Sequence, residues 1–312
     1  MNFIKFLNRP NFQIINVAAK NGKFNHISHF RYMSSSSLVN FNQPIANSSI
    51  VRLAMDGLIS LHECLHIPWF LEISIITIMA RSLVAFPLTV LQRKIMIRYE
   101  ALRPEIQILS KNLRNKVKQE AYLVGLSPRK TQQIYRKTLT REINRLIVRD
   151  NCHPMKATLV ALFQIPMWII LSNCYRNFAL LQPDPNDVNI MMAHEQLQRE
   201  GLFWFKDLTI PDSTGILPIT TCLINLTIIQ IHINERRRNN LKDSLFIRVF
   251  TNCGRLISVA LVPIGLMMPT DMCFYWMISS SMGLLQNILL MNPKVKKLLK
   301  IHSKTNESVN KN

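Results

Sequence analysis

Arg81 lies inside IITIMARSLVAFPLTVLQRK, residues 75–94, an apolar run that passes into a basic surface. A guanidinium at mid-bilayer costs about 2.5–3.5 kcal/mol on insertion scales, so it is expected to face a wet cavity or a partner and not lipid. Glu72 is nine residues back in the same run. That is about 13 Å of helical rise, too far for direct pairing. The other apolar runs hold no Asp or Glu in their cores, and Asp271 sits at a boundary. The cation is therefore read as uncompensated by the protein. Its chemistry would be electrostatic, the attraction of an anionic group brought partway into a membrane.

Further polar residues recur in the apolar runs at helical spacing. Thr220, Thr227, Gln230 and Asn234 fall within roughly 80° of arc at about 100° per residue. Ser279, Ser280, Gln286 and Asn287 fall within roughly 120°. Gln164 and Ser172 lie in a third run. One such stripe is ordinarily glue between helices. Three stripes beside an unpaired arginine also fit a hydrophilic groove, and at this level both readings stand. As a groove, its lining would be Arg81, Gln164, Ser172, Thr220, Thr227, Gln230, Ser279 and Gln286.

Catalytic patterns are missing from the sequence. There is no GxxxxGK[ST], GxGxxG or HExxH, and eight glycines form no phosphate-cradling loop. His62 and His66 are four apart with only Glu63 and Cys64 beside them. Cys64, Cys152, Cys174, Cys222, Cys253 and Cys273 make no CxxC pair and no zinc-finger spacing with histidine. Neither enzymatic activity nor a cofactor or metal is expected.

The elements that position these residues follow from where the apolar runs lie. Hydrophobic residues make up 48% of the 312, yet the net charge is +20, and the two properties alternate in blocks. Five blocks are long enough to span a bilayer: 67–91, 157–175, 216–234, 246–268 and 272–291. The fourth carries Arg248 and Arg255 in its first half, where long cations snorkel to the interface. The fold class expected is an all-α membrane protein with five transmembrane helices.

Residues 92–156 hold sixteen Lys or Arg against five Asp or Glu. Residues 235–248 hold five against two, and 292–312 six against one. The connection 180–215 is opposite in sign, with Asp184, Asp187, Glu195, Glu200, Asp207 and Asp212 against Arg199 and Lys206. Five spans put the three basic regions on one side, the side from which insertion begins. The basic stretch 92–156 is expected to be a helical hairpin broken at VGLSPRK, with Ser127 as N-cap and Pro128 at the first helical position. Such a hairpin could meet anionic lipid, RNA or an incoming chain.

Residues 1–33 carry Lys5, Arg9, Lys20, Lys23 and Arg31, and no acid precedes Asp56. That composition reads as a mitochondrial transit peptide and lacks the central apolar run of a secretory signal. The basic side is then the matrix. The expected layout is transit peptide 1–33, an intermembrane-space segment 34–66, a core 67–291 with its hairpin at 92–156, and a short matrix tail 292–312.

Over residues 65–295 the chain resembles the YidC/Oxa/Alb membrane-protein insertases. TIMARSLVAFPLTVLQ resembles the family's first-span signature, an arginine, a small apolar spacer, then Pro-Leu-Thr; LRPEIQ opens the basic hairpin. NCHPMKATLVALFQIPMWIIL resembles the second span, FWFKDLTIPDSTGILPI the loop into the third, and LISVALVPIGLMMPTDMCFYWMISSSMGLLQNIL the last two. The resemblance implies that Arg81 sits in a water-filled groove that receives a translocating segment. Two departures are visible. Five residues, Ser82 to Phe86, separate Arg81 from Pro87, where most members have four. The stretch after Met291 has 21 residues, where the general mitochondrial type carries a long basic tail that binds ribosomes. Both look like the mitochondrial branch devoted to cytochrome c oxidase assembly, which implies export of the acidic, copper-ligating C-terminal tail of oxidase subunit II. Implied partners are subunit II, its assembly factors and the lipid bilayer; neither ribosome contact nor stable nucleic-acid binding is expected. A general insertase and a solute transporter are the alternatives.

Overall fold

The computed structural model describes residues 44–238, 245–299 and 301. The expected transit peptide 1–33 and the tail from 302 onward lie outside the described residues. Those described are almost wholly helical, as the apolar blocks require. α1 is Ser49–Leu65 and α2 is Trp69–Met79, followed by a π-helical turn, Ala80–Ala85. α3 is Phe86–Ala101, α4 Arg103–Val124 and α5 Pro128–Arg149. α6 is Pro154–Ala179, α7 Val188–Leu197, α8 Ile216–Arg238 and α9 Leu245–Gly265. α10 is Thr270–Met291 and α11 is Pro293–Leu298.

Among the described residues, three helices are long and apolar enough to cross a bilayer: the continuous run from Trp69, α8, and Ile247–Gly265 of α9. α6 and α10 cover the second and fifth apolar blocks with 26 and 22 residues, length enough for a span. They also bury the polar Ser172, Asn173, Asn177, Ser279 and Gln286. α10 is central and packs against α2, α6 and α8. α9 packs along α8 and leaves Phe250, Leu256 and Ile257 exposed, a pattern suited to lipid. Arg248 and Arg255 are exposed on the same helix. At the α8–α9 crossing, a Cβ on Gly265 would come 2.7 Å from the Cβ of Pro218. The backbones approach there because a small residue permits it.

Two helices, α4 and α5, flank the break at VGLSPRK. Gly125 ends α4 in the left-handed region at φ 64°, where a side chain would be strained. Ser127 is the N-cap of α5 and Pro128 opens it. The Ser127 carbonyl accepts from the Thr131 backbone N–H at 3.0 Å. The two arms are joined by a bidentate pair, Arg149 to Glu105 at 2.9 and 2.8 Å.

The largest core lies at the opposite end, beside the acidic connection. Val51, Met55 and Leu58 of α1 meet Trp69 and Ile73 of α2, Tyr175 and Phe178 of α6, Ile190 and Leu197 of α7, and Phe274, Tyr275 and Trp276 of α10. α1 lies in the segment 34–66, where the sequence shows no apolar block long enough for a span. The connection into α8 is pinned to this core. The Thr270 hydroxyl donates to the Ile210 carbonyl at 2.6 Å, and the Asp271 N–H to that of Leu208 at 3.0 Å.

Candidate functional site

Arg81 occupies the second position of the π-helical turn that joins α2 to α3. Its Nε donates to the Ser279 hydroxyl at 2.9 Å, and its Nη2 donates to the same oxygen. Ser279 is buried on α10, so the first and last apolar runs meet through this contact. Gln286, two turns further along α10 and buried, donates from Nε2 to the Arg81 carbonyl at 2.8 Å. That carbonyl also accepts the Phe86 N–H. Tyr275 lies one turn before Ser279, buried, with its ring 5.4 Å from that of Tyr175. No carboxylate lies within ion-pairing distance of Arg81 among the described residues.

The guanidinium is thus oriented by a neutral hydroxyl and has no counter-ion among the described residues. Coulomb attraction strengthens as the local dielectric falls. A half-buried cation of this kind is suited to holding an acidic group transiently. It is not set up for bond-making chemistry.

Of the residues read from sequence as groove lining, three come together: Arg81, Ser279 and Gln286. Ser172 is placed differently. It is buried, accepts from Trp276 Nε1 at 2.9 Å and donates to the Trp168 carbonyl at 2.7 Å, so it ties α6 to α10. Gln164 and Thr220 are half-buried on α6 and α8. Thr227 and Gln230 are exposed on α8; the Thr227 hydroxyl donates to the Leu223 carbonyl at 2.8 Å and Gln230 Nε2 to Asn234 Oδ1 at 2.9 Å. These four make no hydrogen bond to the Arg81 cluster among the described residues.

Sequence reasoning missed two charged clusters. Glu72 is fully buried and pairs with His62 Nδ1 at 2.5 Å, while the His62 ring stacks on Trp69 at 4.4 Å. Trp69 in turn donates from its backbone N–H to Glu200 and from Nε1 to Gln196, at 2.9 and 3.1 Å. At the basic end, Arg93 of α3 donates to Glu235 of α8 at 2.8 Å, and Lys296 of α11 reaches Glu235 at 3.4 Å. In the sequence, His62 stands beside Glu63 and Cys64 and far from Glu72, because the break at 66–68 hides how α2 folds back against α1. Among the described residues no group of three or more His, Cys, Asp or Glu is arranged to hold a metal ion.

Comparison with known proteins bears on this arrangement. The family described as 60Kd inner membrane protein matches residues 60–297. The human mitochondrial cytochrome c oxidase assembly protein COX18 is 37% identical over 266 residues, covering 85% of this chain and 78% of that protein. The mouse protein of the same name is 35% identical, covering 88% of this chain and 81% of its own length. The mouse mitochondrial inner membrane protein OXA1L is 28% identical over 77% of this chain and 49% of its own.

Proposed function

The chain belongs to the 60Kd inner membrane protein family, and from that premise we propose that it is a mitochondrial inner-membrane insertase. It exports the C-terminal tail of cytochrome c oxidase subunit II from matrix to intermembrane space and so serves oxidase assembly. The single observation that carries the mechanism is the Arg81–Ser279 contact, which holds between the first and last apolar runs a cation with no counter-ion among the described residues. The relatives named cytochrome c oxidase assembly protein support a role in oxidase assembly.

In this reading the five apolar blocks cross the membrane as α2 with α3, then α6, α8, α9 and α10. The hairpin of α4 and α5 and the tail 292–312 stand in the matrix. Residues 1–33 are removed as a transit peptide, and 34–66 lie in the intermembrane space. The core 67–291 offers Arg81 to acidic residues of the tail, with Thr227 and Gln230 along the path. No nucleotide is hydrolysed. A membrane potential positive outside favours outward movement of acidic groups by about 2.3 kcal/mol per charge per 100 mV. Spans of the substrate then leave sideways, driven by burial in lipid. Its partners are subunit II, the factors that mature it, and the bilayer. A second reading, a general insertase of inner-membrane proteins, draws on the match to OXA1L.

A photoreactive amino acid at the exposed Thr227 tests the path. During export of newly made subunit II, an adduct with its tail is the expected product. Labelling of lipid alone would remove α8 from the path.

A further inference from the structure

The first span is fixed at both ends. Trp69 and Ile73 of α2 are fully buried in the large core. Beyond the π turn, Val90 of α3 is buried against Leu290 and Ile301, and Arg93 is paired with Glu235 of α8. The helix between these anchors is not α throughout. At Ala80–Ala85 it widens so that the Phe86 N–H reaches the Arg81 carbonyl, five residues back. A single such turn is how a helix absorbs one surplus residue. It falls immediately ahead of Pro87, whose ring would clash with the carbonyl four residues before it in a continuous α-helix.

Arg81 is inside that turn, and its own carbonyl is the one gripped by Gln286 across the helix boundary at 2.8 Å. Gln286 is buried, so this bond is protected from exchange with water. Each residue in an α-helix turns the chain by about 100°. With both ends held, the surplus residue decides which way position 81 points.

We propose that the widened turn, clamped by Gln286, is the positioning device for Arg81. It sets the register that brings the guanidinium onto Ser279 and into the path of an acidic substrate, and Gln286 is a positioning residue. The inference rests on the export reading for its consequence, but not for its geometry.

The test uses the full chain in mitochondria that lack their own copy. One variant deletes Val84, shortening the turn by a residue. A second carries the same deletion with one alanine inserted after Ala85, restoring length with altered sequence. Each is read in two ways. The first is a bis-maleimide cross-link between Arg81→Cys and Ser279→Cys, with the six native cysteines replaced. The second is export of the subunit II tail, with Arg81 and Ser279 intact. Deletion is expected to abolish both the cross-link and export, and reinsertion to recover both. Gln286→Leu is expected to lower the cross-link yield without lowering the amount of membrane-integrated protein. A cross-link that survives the deletion unchanged would overturn the proposal, whatever happens to export. A cross-link that tracks turn length while export stays constant would uphold the register and count against the export reading instead.

Discussion

Ser279 accepts hydrogen bonds from Arg81 without offering it a charge. A carboxylate there would neutralise the guanidinium and make release of an acidic segment slow; a hydroxyl orients it and leaves its attraction available. Replacing Arg81 by leucine is therefore expected to slow export of the subunit II tail by about tenfold or more, since charge-assisted hydrogen bonds contribute about 1.5–3 kcal/mol. The check is the rate at which the tail of pulse-labelled subunit II becomes accessible to protease. An unchanged rate would remove the cation from the mechanism while leaving polarity elsewhere in the path to act. Arg81 was legible because a charge inside TIMARSLVAF has no bland explanation. Ser279 and Gln286 were legible as candidates because seven residues put them on one helical face. That they contact Arg81, while Ser172 meets Trp276 instead, depends on how the helices pack, which spacing does not encode. The five-residue spacing between Arg81 and Pro87 was visible as a departure, but the π turn that accommodates it needs both anchors of the span to be known.

Among the elements, the entry to α8 shows how local chemistry fixes a span. Asp212 Oδ1 accepts from the backbone N–H and hydroxyl of Thr214 at 3.0 and 2.6 Å, and Oδ2 accepts from the Leu217 N–H at 2.9 Å. Burial alone would raise the Asp212 carboxyl, but the hydrogen bonds from Thr214, Leu217 and Trp204 outweigh it and hold it below the usual range. The folded value is thus lower than the unfolded one. Its stabilising contribution is complete above the unfolded carboxylate value, about 3.9, and is lost as pH falls through the folded value. Asp212→Asn is expected to lower stability near neutral pH and to reduce the acid dependence of unfolding, followed by circular dichroism in detergent. An acid transition identical to that of the unmodified chain would show that Asp212 does not hold this turn. In the sequence, the Asp-Ser-Thr-Gly run stands out only as part of the stretch resembling the family's loop into the third span. The apolar blocks 216–234 and 272–291 fall inside α8 and α10, which run four residues past the first and begin two residues before the second. α1 matches no such block, because its apolar residues Val51, Met55 and Leu58 are separated by polar ones and make no continuous block.

For the whole molecule, the separation of charge is the organising feature. The basic hairpin and tail and the acidic connection belong to opposite faces in the proposed topology, and the large core sits with the acidic one. Cys64 is exposed at the end of α1. A membrane-impermeant maleimide is expected to label it in mitoplasts without detergent, and to label Lys130→Cys at the hairpin only after solubilisation. The reverse order would invert the topology. Export of the subunit II tail by this chain is read out by protease accessibility of that tail in mitoplasts with and without the protein. Retention of the tail, protected in the matrix, when the chain is missing is the expected result, with cleavage restored on re-expression. A tail cleaved equally well in both would contradict the account.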